Sequence, residues 1–234
     1  MKVEVSLSPA LYPFRTVQSH HVTVAIDVLR ATTAVCAALQ AGCEEVVPLD
    51  SLDALSGYRE QGFHLAAERN GSKVGDAEYG NSPTEYLRHD LSGVRLAYST
   101  TNGTVTILRA ADAEVTLVGA FANLSALVEK LRQTEKDIVL LCSGWKNDFC
   151  IEDTLVAGAI VERMAGFADP WGDASHMALR LWQQAKDNPY DYCEQASHVH
   201  RLRKLGAEED IRFAFVIDSC PVVPILDKGV LRKA

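Results

Sequence analysis

Three short polar stretches hold most of the residues that could do chemistry. The first is Asp27-Val28-Leu29-Arg30-Ala31-Thr32-Thr33, which joins a carboxylate, a guanidinium and two hydroxyls at a predicted helix start. Backbone N–H groups at such a start favour an anion. Arg30 can grip two oxygens in a fork, and Asp27 can hold a divalent cation or attack phosphorus. The bland reading is a Thr32 cap with Asp27 paired to Arg30. The second stretch, Ser99-Thr100-Thr101-Asn102-Gly103-Thr104, packs four hydroxyls and an amide into six residues before another helix. That density suits a phosphate or sulfonate cradle, but it lacks the lysine and spacing of a nucleotide-binding P-loop. Capping and turn formation explain it equally well.

The third stretch, Ser143 to Thr154, carries Glu152-Asp153 in the first turn of a helix. The helix dipole accounts for two acids there, yet their place beyond a strand end also suits an oxygen-rich Mg²⁺ site shared with Asp27. Histidines and cysteines form no convincing zinc set. His198-Val199-His200 on a helix points its rings to different faces, and it reads, with His20-His21, as structural or superficial. Cys142 and Cys150 lack the C-x₅-R spacing of a thiol phosphatase. Trp145 and Trp171 could close over a substrate, though packing is their ordinary role.

The elements that must position these stretches read as α/β, a three-layer α/β/α arrangement with a largely parallel central sheet. Met1 to Val5 alternates like a strand, and Val22–Ile26 is a buried strand followed by a helix from about Thr33 to Ala41, which Gly42 can end. Further strands are expected at Glu45–Leu49, Leu96–Tyr98, Val115–Val118 and Ile138–Leu141, with helices at 51–61, 104–111, from Asn123, and over Ile151–Met164. Phe213–Ile217 and Val222–Ile225 read as late strands near the sheet edge. Residues 45–52 and 114–124 read alike, a weak supersecondary echo. The 234 residues form one domain on this reading, with 166–206 as a helical lid or subdomain.

Acidic residues outnumber basic ones 31 to 23, a formal charge of −8, which opposes binding to nucleic acid and to anionic membranes. Neither a membrane span nor a signal peptide is visible, so the sequence reads as cytoplasmic, with its six cysteines reduced. A homo-oligomer is compatible with it.

Taken in order, Ile26-Asp27-Val28-Leu29-Arg30-Ala31-Thr32-Thr33, Glu68-Arg69-Asn70-Gly71, Gly80-Asn81-Ser82-Pro83, Thr100-Thr101-Asn102-Gly103-Thr104, Gly119-Ala120-Phe121-Ala122-Asn123, Cys142-Ser143-Gly144 and Phe149-Cys150-Ile151-Glu152-Asp153 resemble the 2-phosphosulfolactate phosphatase (ComB) family. The likeness covers most of residues 22 to 160. It departs at Glu78, where an aspartate is expected, and at Ser143, which replaces a common alanine. The resemblance implies an α/β/α fold and Mg²⁺-dependent hydrolysis of (R)-2-phospho-3-sulfolactate to 3-sulfolactate and phosphate, a step of coenzyme M biosynthesis in methanogens. For bacterial members the resemblance leaves another sulfonate pathway or another acid open.

At the matching positions, Asp27, Glu68, Glu152 and Asp153 are candidate Mg²⁺ ligands. Asp27, Arg30, Glu152 and Asp153 are candidate catalytic residues. Thr32, Thr33, Asn81, Ser82, Thr100, Thr101 and Asn102 join Arg30 as candidates for binding the small phosphorylated anion. Leu29 stands where aspartate-nucleophile phosphatases carry a second aspartate, which favours attack by metal-bound water over an aspartyl phosphate. The competing classes are a noncatalytic sensor or carrier of such acids and a thiol enzyme built on Cys142 or Cys150.

Overall fold

The computed structural model describes residues 1–18 and 20–234. Its strands are β1 (Lys2–Ser6), β2 (His21–Ile26), β3 (Glu45–Leu49), β4 (His64–Arg69), β5 (Ser72–Lys73), β6 (Arg95–Ser99), β7 (Val115–Gly119), β8 (Asp137–Cys142), β9 (Asp169–Trp171), β10 (Pro224–Asp227) and β11 (Val230–Lys233). The helices are α1 (Ala31–Gln40), α2 (Leu55–Arg59), α3 (Pro83–Leu87), α4 (Gly103–Arg109), α5 (Leu124–Arg132), α6 (Ile151–Arg163), α7 (Asp173–Ala185), α8 (Pro189–Tyr192), α9 (Ser197–Lys204) and α10 (Glu208–Ala214).

The strands join in the order β5-β4-β6-β3-β11-β10-β7-β2-β8-β1-β9. Two parallel blocks stand out, β4-β6-β3 and β7-β2-β8-β1-β9. The antiparallel hairpin β10–β11 splices them, pairing with β7 over Ile225 and Leu226 and with β3 through Leu231. The two stretches that read alike in sequence fall on β3 and β7, the strands that flank this hairpin.

Both faces of the sheet are covered, which is why its strands are apolar runs rather than strict alternations. Val22, Val24 and Ile26 of β2, with Ile138, Leu140 and Cys142 of β8, pack into the cluster that holds α5, α6 and α7. Their neighbours Ala25, Val139 and Leu141 face the opposite cluster, which contains α1 and Ile107 of α4. The period of two thus sends successive side chains into two cores, the signature of three layers.

Phe213–Ile217 is not a strand. Its first two residues end α10 and the rest is a turn, because Ile211, Ala214 and Phe215 enter the core at helical spacing. The aromatic and branched composition suggests a strand, but tertiary packing decides otherwise. Strand β4 is absent from the sequence reading. Its residues, His-Leu-Ala-Ala-Glu-Arg, carry little strand propensity and are held in register by β6 on one side and by Tyr79 on the other. Among the described residues, no helix is long and apolar enough to cross a membrane.

Candidate active site

The carboxyl ends of β2 and β8 in one block meet those of β4 and β6 in the other. In an open α/β sheet, loops and helix starts converge beyond such ends. The loop after β2 is built by its own threonines. Thr32 Oγ1 accepts from the Asp27 N–H at 3.0 Å and donates to the Asp27 carbonyl at 2.8 Å, and Thr33 Oγ1 donates to the Val28 carbonyl at 2.8 Å. Both side chains are fully buried. The Ala31 N–H at the start of α1 donates to Asp27 Oδ1 at 3.2 Å, and the Thr32 N–H to the Asp27 carbonyl at 2.9 Å. The anion at this helix start is therefore the protein's own carboxylate.

Asp153 fastens this loop to the loop after β8. Its two oxygens accept from the Val28 N–H and the Gly144 N–H, each at 2.9 Å. Gly144 has φ of 60°, and a Cβ there would come within 2.0 Å of the Asp148 carbonyl oxygen, so only glycine allows the tight turn 145–148 that follows. Across the site, Glu68 at the end of β4 accepts from the Thr101 N–H at 3.1 Å, the Thr101 hydroxyl at 3.0 Å and the Gly71 N–H. Thr100 and Thr104 close a reciprocal pair, each hydroxyl accepting from the other's N–H at 3.1 Å. The hydroxyl-rich turn thus spends most of its donors on itself. Gly103 opens α4 against Asp27, where a Cβ would lie 2.2 Å from the Ala31 Cβ and 2.7 Å from Asp27 Oδ2.

Arg30 does not pair with Asp27. Its guanidinium donates to Asp210 Oδ2 and to the Gly71 carbonyl, both at 2.7 Å, and the Leu29–Arg30 peptide is cis. Asp210 Oδ1 accepts in turn from the hydroxyls of Ser82 and Thr84 at 2.7 Å. Both members of the ion pair are buried, so this guanidinium is held in one place. Asn81 accepts from the Tyr98 hydroxyl through Oδ1, which leaves its amide nitrogen as the donor end.

One tight pocket collects six of the expected residues: Asp27, Arg30, Glu68, Asn81, Thr100 and Asn102. Its remaining wall includes Trp145, His198 and Arg201. Thr32, Thr33, Ser82, Thr101, Glu152 and Asp153 do not line it, and Thr101 faces the neighbouring pocket with Asn102. Of the family departures, Glu78 accepts from the Leu65 N–H at 2.8 Å and neighbours Arg59 at the sheet edge. Ser143 shares a hydrogen bond of 2.8 Å with Thr106.

The site is acidic and its carboxylates are buried. Burial, reinforced by the charge of Glu68, pushes Asp27 up from 3.8 to about 6, although the Ala31 N–H opposes the shift. Burial pushes Glu152 up to about 7, with the charge of Asp27 adding to it. Asp153 is raised for the same reasons. Such neighbours share their protons and titrate as a set.

Among the described residues, no three of the expected metal carboxylates bring an oxygen each within 4.8 Å of one another. The group that meets this spacing is Cys150, Glu152 and His198. It differs from a zinc site in two respects. Burial and the neighbouring carboxylates hold the Cys150 thiol protonated, and the Arg201 guanidinium lies 2.7 and 2.9 Å from the two His198 ring nitrogens.

Sequence reading missed Arg201 and Asp210 and treated His198 as structural. A signal existed for Arg201, since His198, Arg201 and Leu202 fall at i, i+3 and i+4 on one face of α9. Asp210 reads as an ordinary acid in the first turn of α10, and nothing local marks it as the partner of Arg30.

The description 2-phosphosulpholactate phosphatase belongs to the family that matches residues 7–229. The chain is a member of that family. It is 38% identical over 207 residues to a protein of Thermotoga maritima, covering 88% of this chain and 89% of the relative. A protein of Caldanaerobacter subterraneus subsp. tengcongensis is 34% identical over 216 residues, with 90% of each chain covered. One from Synechococcus sp. (strain JA-3-3Ab) is 40% identical over 220 residues, covering 90% and 91%. All three carry the name probable 2-phosphosulfolactate phosphatase.

Proposed function

We propose that this chain is a Mg²⁺-dependent phosphomonoester hydrolase that acts on a phosphorylated 2-hydroxy acid, in the first place 2-phospho-3-sulfolactate. The observation that carries this reading is the juxtaposition of Asp27 with an anchored Arg30 in one tight pocket beyond the strand ends. Family membership and the names of the relatives supply the substrate class.

The donor set supports a hard divalent cation. Asp27 and Glu68 line the pocket, and burial with mutual repulsion leaves the charges of Asp27 and Glu152 poorly compensated. When bound, Mg²⁺ supplies neutralisation and polarisation of the phosphoryl oxygens. The chain's own groups do the rest. Arg30 holds phosphoryl oxygens, because Asp210 and the Gly71 carbonyl use only part of its five-donor fork. Asn81 and Asn102 add amide donors. Asp27 orients the attacking water and accepts its proton, with Glu152 as the neighbouring carboxylate, and that proton passes on to the departing alkoxide. Thr32, Thr33, Thr100 and Thr101 shape the two loops, Asp153 fastens them, and Ser82 orients Asp210.

The test is phosphate release from a panel of phosphorylated 2-hydroxy acids bearing sulfonate or carboxylate groups, with Mg²⁺ and with chelator. Release that needs Mg²⁺ and is lost on Asp27→Asn is expected. No release from any ester, with tight binding retained, would make the chain a carrier. Acid quenching during turnover should leave no phosphate on the protein, and phosphate found on Asp27 would overturn attack by water.

A further inference from the structure

The two guanidiniums that line the pocket are held in opposite ways. Arg30 is neutralised by Asp210. Arg201, on α9, makes no ion pair with a carboxylate among the described residues, although its helix neighbour Arg203 pairs with Glu208 and Glu194. Arg201 rests on aromatic rings instead. Its guanidinium carbon lies 3.1 Å from the centroid of Trp145, and Trp145 meets His198 edge to face with centroids 5.3 Å apart. Burial and the nearby charge of Arg201 push His198 down to about 3, so the ring is neutral and takes no charge from the arginine. The Arg201 Nε is buried with no hydrogen-bond partner. An unpaired buried donor on a full positive charge is costly unless something completes it.

The support is built rather than incidental. Trp145 opens a two-residue turn whose N–H and C=O groups pair with Asp148 at 3.0 and 2.9 Å, with Lys146 and Asn147 both in the left-handed region. His198 is fixed on the same face of α9 as Arg201. The guanidinium stacks on Trp145 and meets His198 through Nη2, which fixes its plane and leaves Nη1 without a protein partner among the described residues, as the end that can take a carboxylate or a sulfonate. The carboxylates Asp27, Glu68 and Glu152 attract it from across the pocket without closing on it.

We propose that Arg201 receives the second anionic group of the substrate, the sulfonate or carboxylate that separates a phosphorylated 2-hydroxy acid from a simple phosphate ester, with Trp145 and His198 as its platform. The proposal rests on the phosphatase reading above and adds where selectivity lies. The phosphoryl group belongs beside Asp27 and Arg30, where the reacting carboxylate is, and Arg201, which lines the same pocket, takes the other end. The space between these groups is small, about 10 Å³, so a substrate that reaches both guanidiniums displaces side chains of the wall.

The experiment compares kcat/KM of the full chain and of Arg201→Met on four esters: 2-phospho-3-sulfolactate, 2-(phosphooxy)ethanesulfonate, phosphoglycolate and ethyl phosphate. The ratio of 2-phospho-3-sulfolactate to ethyl phosphate should fall about 10- to 100-fold in the variant, as for loss of a charge-assisted hydrogen-bonded pair, and so should that of the one singly substituted ester whose acid group Arg201 holds. Arg201→Lys should restore part of that ratio, keeping the charge without the fork. Whichever of the sulfonate-only and carboxylate-only esters loses its advantage identifies the group bound. Ratios equal to those of the unaltered chain would overturn the proposal. Calorimetric titration with 3-sulfolactate gives a readout without turnover: weaker binding by Arg201→Met at an unchanged melting temperature supports it, and equal affinity, or no binding by the unaltered chain, overturns it. If no ester is hydrolysed but sulfolactate binding still depends on Arg201, the phosphatase reading fails and this one stands.

Discussion

Replacing Asp27 by asparagine should make the metal-free protein more stable at pH 8 while abolishing phosphate release. Asp27 is 7% exposed, and its pKa rises from 3.8 to about 6 on folding. About two units correspond to about 3 kcal/mol at roughly 1.36 kcal/mol per unit. The folded state binds the proton more tightly than the unfolded chain. Stability is therefore lost as pH rises from about 4 to about 6, and the full penalty persists above that. Asparagine keeps the oxygen that accepts from the Ala31 N–H and removes the charge. With a melting entropy of roughly 2.1 cal/mol/K per residue, 3 kcal/mol over this length is about 6 °C. Thermal melts in chelator should place Asp27→Asn about 6 °C above the unaltered protein at pH 8, with about half that gap at pH 5 and none near pH 4. A variant that melts at or below the unaltered chain at pH 8 would refute the claim that burial and Glu68 leave this carboxylate uncompensated.

Mg²⁺ should raise the melting temperature more at pH 8 than at pH 6, since Asp27 and Glu152 must lose protons to hold it, and a shift independent of pH would exclude them as ligands. Asp210→Ala strands the buried Arg30 charge and should cost about 3 to 5 kcal/mol in urea unfolding, most of it recovered when Arg30→Met is added. Gly103→Ala should lower kcat by about 100-fold, because its Cβ would displace Asp27 Oδ2 and Ala31; unchanged kinetics would show that the loop yields freely. Iodoacetamide at pH 8 should leave activity intact, since all six thiols are buried; rapid inactivation would restore the thiol reading.

The frame of the fold was legible because β2, β3, β7 and β8 are apolar runs whose burial does not depend on distant partners. β2 and β8, with β6, also end in turns of polar residues, so the places where chemistry could gather could be read as well. The roles inside those turns were less legible. A threonine that could face a phosphate and one that closes its own loop have the same composition, and only the bonds of Thr32, Thr33 and Thr100 separate them. The bland pairing of Arg30 with Asp27 failed because a residue 180 positions away supplies the partner. Arg201 was hidden in a basic last turn that the helix dipole explains without function.

The surplus of eight negative charges looks at first like an obstacle to binding an anion. The pocket shows where the obstacle is concentrated and how it is divided. Arg30 and Asp210 cancel, so Arg30 contributes donor geometry more than net charge. Asp27 and Glu68 then face the one unpaired guanidinium of the pocket wall, Arg201. A phosphate ester carrying a further acid group would enter a space that is net negative and lined by buried charges, which interact far more strongly than in water. Either protons on the buried carboxylates or a divalent cation must accompany it, and the raised values of Asp27 and Glu152 put both routes within reach near neutral pH. The burial that destabilises these carboxylates in the empty protein is thus also the condition under which a cation and an anion are taken up together.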